Sequence, residues 1–411
     1  MSDKRRPKDK YENLVLALLE QRAGVENLWS YPITAQIDPS SVCHLKCPMC
    51  VHGKQVAERS YDIMSWELYE HIVGEIGPYL SYVDFLHGGE PLLNKRFPDM
   101  VAHIKKYDVY TSTDTHFSLK LSDAELESLI DCGLDTISIS LDGMSRETYD
   151  KYRIGGDFDL VLSNMKRLAE LKKKRGVSRP HISWQFVVFS FNEHELPEAR
   201  RFAQKLGVNF KPSAPFVKDP DWLPTMEEYV RDCYKPHSKK SEVAISPSEP
   251  ISDIINKLSS ELNARHPCDW LYLTGTINAN GSISSCCALE SEDKDFGQVT
   301  LNNTFHEVWN NDKFQRARNI VNFKNLKNVK NPEEIICSNC PIPQYTKQKQ
   351  HRARIMMKKV PEELKSRVSE FLPHQLMEDQ NLVEVVRKIT YKILHKTVNY
   401  TKKRFYFTTA K

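Results

Sequence analysis

The chain has no uninterrupted apolar run long enough to cross a bilayer, which excludes a membrane-spanning helix on hydropathy alone. Its first ten residues, Met-Ser-Asp-Lys-Arg-Arg-Pro-Lys-Asp-Lys, lead into no apolar core of the kind a secretory signal needs. With a mean hydropathy of −0.53, these absences predict a cytoplasmic protein. Net charge is nearly absent as well, at +4 from 58 basic and 54 acidic residues. No basic motif interleaved with aromatics occurs, so nucleic acid is not an expected partner. Around the first cysteines there is no second cysteine pair, and His44 and His52 are poorly spaced for zinc.

What the 411 residues do contain is cysteine in groups. Cys43, Cys47 and Cys50 form a C-x3-C-x2-C run. Cys268, Cys286, Cys287, Cys337 and Cys340 form a second set, and Cys132 and Cys233 stand alone. In a long cytosolic chain such groups read as metal or redox ligands before disulfides. A 4Fe–4S cube takes one thiolate per iron, so three thiolates leave one iron open to a small chelating molecule. A zinc knuckle or three unrelated thiols are the alternatives at this point.

Hydrophobic content of 40% and charged content of 27% are ordinary globular values. Strand-like and helix-like stretches alternate through half of the chain. Strands are expected at 33–38, 82–86, 109–113, 136–141, 181–189 and 209–215. Helices are expected at 65–76, 97–107, 122–132, 158–174 and 196–206, with Ser122 and Glu125 spaced as a capping box. That alternation implies parallel βαβ units, hence an α/β fold with a partial (β/α)6 TIM-like barrel whose ligands sit at the C-terminal strand ends. The domains expected are an N-terminal helical segment (1–32), the barrel (33–215) and a proline-rich linker or lid (216–265). A small cysteine-rich α+β domain (266–345) and a helical tail (346–411) follow. From Tyr345 onward the chain carries 16 Lys and Arg against 6 Asp and Glu, so the tail is basic and the body mildly acidic.

On these motifs the chain resembles the radical SAM superfamily, in the subgroup with a C-terminal SPASM or twitch domain. The cysteine run is similar to that family's cluster loop, and Gly88-Gly89-Glu90-Pro91 to its GGEP element. The resemblance implies that Glu90 accepts from the ammonium of S-adenosylmethionine (SAM), that Gly88 and Gly89 allow close backbone approach, and that Arg153 pairs with the SAM carboxylate. It implies ribose contacts from Ser138, Ser140 and Asp142 and an adenosine-side contact from Asn192. Cys268-x12-Gly281-x4-Cys286 and Cys337-x2-Cys340-Pro341 resemble the SPASM framework, while Glu307 to Asn310 and Phe314-x3-Arg318 resemble its helix. No cysteine follows Cys340, so one auxiliary 4Fe–4S cluster is expected on Cys268, Cys286, Cys337 and Cys340, with Cys287 as a neighbour.

The third strand departs from the family pattern, ending Ser112-Thr113-Asp114-Thr115-His116 where relatives carry Thr-Asn-Gly. Asp114 and His116 are therefore the candidate substrate groups, and Cys233 in the lid is the candidate hydrogen donor of an epimerase. His87, Gln185 and Lys211 lie near strand ends as further base or substrate contacts, and Cys132 is expected in the core.

The activity implied is reductive SAM cleavage and removal of a substrate hydrogen. An external one-electron reductant of flavodoxin or ferredoxin type is implied as a partner. Oxidation or epimerisation of a small sugar-like molecule or glycoconjugate is the leading expectation. A peptide-modifying maturase is the alternative, against which counts the short stretch of some thirty residues before the first strand. A non-catalytic Fe–S electron-transfer protein is a third reading, opposed by the GGEP and Arg153 elements. The basic amphipathic tail is expected to pack as a helix, with contact to an anionic membrane surface as its sharper alternative.

Overall fold

The computed structural model describes residues 6–54, 58–215, 220–226, 268–287, 291–321, 329 and 331–339. Cys233, Cys340, the basic tail and all of the expected lid except 220–226 lie outside the described residues. The chain divides into two compact units. One comprises 1–34, 240–275 and 305–411, the other 35–239 and 276–304.

The larger unit is built on a sheet of eight strands in the order β6-β5-β4-β3-β2-β1-β7-β8. The strands are β1 (Thr34–Ile37), β2 (Tyr82–Asp84), β3 (Tyr110–Thr115), β4 (Thr136–Ser140), β5 (His181–Val187), β6 (Asn209–Ser213), β7 (Thr274–Ile277) and β8 (Ile283–Ser284). The pairs from β2 to β6 are parallel, and β7 with β8 is antiparallel. Helices follow the strands: α2 (Trp66–Ile76), α3 (Phe97–Ile104), α4 (Asp123–Asp131), α5 (Arg146–Tyr152), α6 (Phe158–Arg175) and α7 (Leu196–Leu206), after α1 (Lys10–Ala23) in the other unit.

Their apolar stripes make the core. Ile72, Val73, Met100, Val101, Leu126, Val161, Met165 and Leu168 are buried with Val83, Ile137, Ile139, Trp184 and Phe186 of the strands and with Phe85 just after β2. Each such full burial contributes about 1.5–3 kcal/mol.

Helix starts follow the capping chemistry. The Ser122 side chain accepts from the Glu125 amide, and Glu125 reaches back to the Ser122 amide. The third strand runs two residues past its expected end, so Asp114 and Thr115 are in the sheet. The expected helix at 97–107 gives way to a 3-10 turn at Lys105. Sequence periodicity missed α5 because seven residues hold too few turns to show one. It is held at its start by Glu195, which accepts from the Met144 amide and the Ser145 and Thr148 hydroxyls. No described helix is long and apolar enough to cross a membrane.

In the other unit, helices α8 (Phe305–Trp309) and α9 (Asp312–Val321) close on Arg318, whose side chain is fully buried. Glu20 is buried in this unit too, accepting from the Trp29 and Ser30 amides and the Ser30 hydroxyl. Burial raises its carboxyl pKa to about 7 from an ordinary 4.5. The folded chain therefore binds a proton there more tightly than the unfolded chain. Its stability is fully expressed below pH 4.5 and declines as pH rises to about 7, by about 3 kcal/mol. Glu20→Gln should remove this slope, read as the difference in urea midpoint between the two proteins from pH 4 to 8. Parallel pH profiles would refute it.

Candidate active site at the strand ends

The cysteine run leaves the end of β1 and is pinned by the segment after α5. The Lys46 amide donates to Ile154 O at 2.8 Å, and Gly155, at φ 85°, lies against His44 O. Gly53 donates its amide to Cys50 Sγ at 3.4 Å. Burial, with the negative fields of Glu90, Cys47 and Cys50, pushes the Cys43 thiol up to about 12. Cys47 is raised as well by burial, against the opposing charge of Arg153. Thiols that hinder one another's ionisation this way lose their protons to a cationic centre. Three such sulfurs with an N–H donor and a guanidinium beside them fit a cube lacking its fourth protein ligand.

Gly88 and Gly89 run beside that loop with no room for a side chain. A Cβ on Gly89 would lie 2.3 Å from Ser40 O and 2.4 Å from Val42 O. Glu90, only 1% exposed, accepts from the Leu92 amide (3.1 Å), Thr115 hydroxyl (2.7 Å) and His116 amide (2.9 Å). It thus ties the Gly-Gly turn to the end of β3. His116 Nε2 lies 3.2 Å from the same carboxylate, and the His44 ring meets the His116 ring edge-on at 4.7 Å. Burial, with the charges of His44 and Arg153, holds His116 well below the usual histidine range and so neutral.

Asp114 and His116, paired in the sequence reading, are separated by the structure. His116 turns into the cluster-loop packing, whereas Asp114 stays open on the sheet face. Register places Asp114 beside Ser138, and Ser112 beside Thr136 and Asp84. Ser140 adjoins Gln185, which adjoins Lys211. The alternate positions of five successive strands therefore form one polar face. On it Tyr82 donates to Asp84 at 3.0 Å, the Ser112 hydroxyl also reaches Asp84, and Tyr82 and Tyr110 stack at 5.7 Å. Desolvation raises Asp84 to about 6 and also raises Asp114, with the Lys211 charge opposing both.

Asp142 is fully buried, accepting from Arg153 Nε at 2.6 Å and from the Val187 amide at 2.7 Å. Asn192 donates to Asp142 O and Val187 O and accepts from the Phe189 amide, fixing the loop after β5. His87 lies where burial and Arg59 depress its pKa to about 4. Cys132 caps α4 and is buried.

Cys268 and Cys337 belong to the unit with α8 and α9, and Cys286 to the sheet unit. Gly281 at φ 85° turns the chain between β7 and β8.

The sequence reading missed Arg59, which is buried and bonded twice to Asp295, at 2.6 and 3.0 Å. It also missed Asp38 and Asp84. The signal for the acids was the period of two in Gln36-x-Asp38 and Tyr82-x-Asp84; Arg59 had none.

A family model described as the radical SAM superfamily matches residues 37–203, and one described as an iron–sulfur cluster-binding domain, SPASM, matches 268–341. The chain is 30% identical over 176 residues to a tungsten-containing aldehyde ferredoxin oxidoreductase cofactor-modifying protein of Pyrococcus furiosus, covering 42% of this chain and 48% of that one. It is 25% identical over 261 residues to PqqA peptide cyclase of Granulibacter bethesdensis, covering 61% and 66%. The chain thus spans about half to two thirds of the length of these relatives. SuiB of Streptococcus suis superposes with a TM-score of 0.53 at 17% identity, covering 71% of this chain and 68% of that one. At that identity the likeness is one of fold. The two matched domains bring 4Fe–4S clusters and SAM as cofactors. The chain belongs to the radical SAM superfamily and carries, C-terminal in sequence to that domain, an iron–sulfur cluster-binding SPASM domain.

Proposed function

We propose that this chain cleaves SAM reductively and removes a hydrogen from a polar small molecule held on the inner face of the sheet. The observation that carries the reading is the convergence of Asp84, Ser112, Asp114, Ser138, Gln185 and Lys211 on one face. Such a surface suits a substrate rich in hydroxyl or amino groups, sugar-like or a glycoconjugate. When bound, the cluster and SAM supply one-electron scission of the S–C5′ bond and a 5′-deoxyadenosyl radical.

The chain supplies placement. Cys43, Cys47 and Cys50 hold the first cluster. Gly88 and Gly89 admit SAM to the backbone, and Glu90 stiffens that turn beside the SAM ammonium. Arg153, with its Nε on Asp142, keeps the end of its fork for the SAM carboxylate. Ser138 and Ser140 line the nucleoside side, and Asn192 holds the loop after β5 through its backbone bonds. Asp114, whose carboxyl desolvation makes more basic than an ordinary aspartate, takes the proton when a carbinol is oxidised. Cys268, Cys286, Cys337 and Cys340 offer four thiolates, which leave no open iron and suit electron acceptance rather than substrate binding. A flavodoxin- or ferredoxin-type partner supplies the first electron. Cys233 as hydrogen donor belongs to the epimerase variant of this reading.

Peptide modification is the second reading, supported by the similarity to a protein named PqqA peptide cyclase. Anaerobically reconstituted protein with dithionite and SAM should form 5′-deoxyadenosine, and Cys47→Ala should form none above background. An aminocyclitol or amino sugar should raise that rate over the uncoupled one, and Asp114→Asn should cut the stimulation by about 100-fold. Stimulation by peptides alone would favour the second reading. No cleavage under any reductant would sink both.

A further inference from the structure

Beside the polar face just described, where β1 meets β7, a second set of polar atoms is buried without partners. Asp38 is 1% exposed, and neither of its carboxylate oxygens has a hydrogen-bond partner among the described residues. The Ser40, Gly88 and Gly89 amides lie around it without closing a well-aligned bond. Gln36 Oε1, Thr276 Oγ1 and Asn278 Oδ1 are buried and unpartnered as well.

These atoms belong together. The Asp38 amide donates to Ile277 O at 2.8 Å, so the ends of β1 and β7 run side by side. Gln36 and Asp38 share one face, and so do Thr276 and Asn278, because they are two apart along extended chain. Ile37 and Ile277, between them, are buried on the opposite face. Gly88 packs closely against this set: a Cβ there would lie 2.5 Å from the His52 ring and 3.2 Å from Asp38 Oδ2.

The chemistry of the set is one-sided. With Asp38 ionised, its two carboxylate oxygens and the two amide oxygens only accept, and the Thr276 hydroxyl does either. The Asn278 nitrogen is committed to Ser282 O, Ser282 Oγ and Ser284 Oγ, so the side chain cannot flip to present a donor. The charged neighbours do not fill the need. Arg59 spends its guanidinium on Asp295, Ser282 and Ser284. Buried acceptors gathered this way call for a ligand that brings donors.

We propose that Gln36, Asp38 and Asn278 form a subsite for a primary ammonium group of the substrate. An ammonium carries three N–H donors and no lone pair, matching three acceptor side chains and one carboxylate charge. A hydroxyl brings one donor and turns lone pairs toward acceptors.

The subsite rests on the radical SAM reading above, and its test separates the two. Thermal unfolding of the reconstituted holoprotein is followed with ethanolamine and with ethylene glycol, a probe of the same size lacking the ammonium. Ethanolamine should raise the melting temperature in a saturable way, and ethylene glycol should not. Asp38→Asn should weaken the ethanolamine response at least tenfold. Gln36→Leu, which removes a neutral acceptor, should weaken it severalfold and serves if Asp38→Asn does not fold. Equal responses to both probes, an unchanged response in the variants, or no response in the wild type would overturn the proposal. So would loss of SAM retention by Asp38→Asn in equilibrium dialysis, which would assign the carboxylate to SAM. Formation of 5′-deoxyadenosine by the wild-type protein without substrate is scored alongside; its absence counts against the radical reading and not against the subsite.

Discussion

Gly89→Ala should reduce SAM cleavage by about 100-fold, the scale of a misplacement of about 1 Å at a reacting centre. The added Cβ would lie 2.3, 2.4 and 2.5 Å from Ser40 O, Val42 O and Ser41 C. All three are backbone atoms, so no flexible side chain can yield. The segment they belong to leads directly into Cys43, and the Glu90 amide is bonded to Val42 O at 2.8 Å. Relief of the clash must therefore move the cysteine loop, the Gly-Gly turn, or both. Overpacking of this kind also costs about 1–3 kcal/mol of stability. The matched control is Gly74→Ala in α2, where a Cβ meets nothing within 4 Å. Alanine there should be neutral or stabilising by up to about 1 kcal/mol, since it replaces glycine inside a helix. Iron content after reconstitution and 5′-deoxyadenosine formation check the pair; similar behaviour of the two variants would defeat the steric argument.

The second large effect is expected at Arg318. Its guanidinium donates to Leu271 O (2.9 Å), Glu26 O (2.8 Å), Trp309 O (2.8 Å) and Asn310 Oδ1 (3.3 Å). It also lies over the rings of Trp309, Phe314 and Tyr272, at 4.9, 5.2 and 5.6 Å. Arg318→Met fills most of the volume but strips partners from two buried carbonyls and a part-buried one. Each such group costs about 1–3 kcal/mol when left unpaired, so a loss of about 4 kcal/mol is expected. Arg318→Lys should rescue little, because an ammonium cannot present the planar fork that these carbonyls surround. Thermal melts of the three proteins decide it. A Lys variant as stable as the wild type would show that charge alone matters.

Much of the architecture was legible because its signals are local. Parallel strands with short helices have readable periods, and the capping box at Ser122 needs only two residues three apart. The first cluster loop was legible for the same reason, since its three thiols lie within eight residues. Arg153, by contrast, was placed beside SAM through a motif, and only the fold reveals its bond to Asp142. His116 shows the limit most plainly. Sequence places it next to Asp114 in function, yet the chain turns after Thr115, with Phe117 at φ 56°, and buries the ring.

The sequence by itself determined the family, the alternation of strands and helices, and which cysteines group together. These depend on spacing along one segment of backbone. Only the tertiary structure decided which polar side chains meet. Asp84, Asp114 and Lys211 share one face because strand register, set by hydrogen bonds between distant segments, brings alternate positions of separate strands to the same side. Gln36 and Asp38 gather with Thr276 and Asn278 across some 240 residues of chain for the same reason. Burial then changes what those groups can do, raising the carboxyls and leaving acceptors unpaired, and burial is a property of packing that no single stretch of sequence carries.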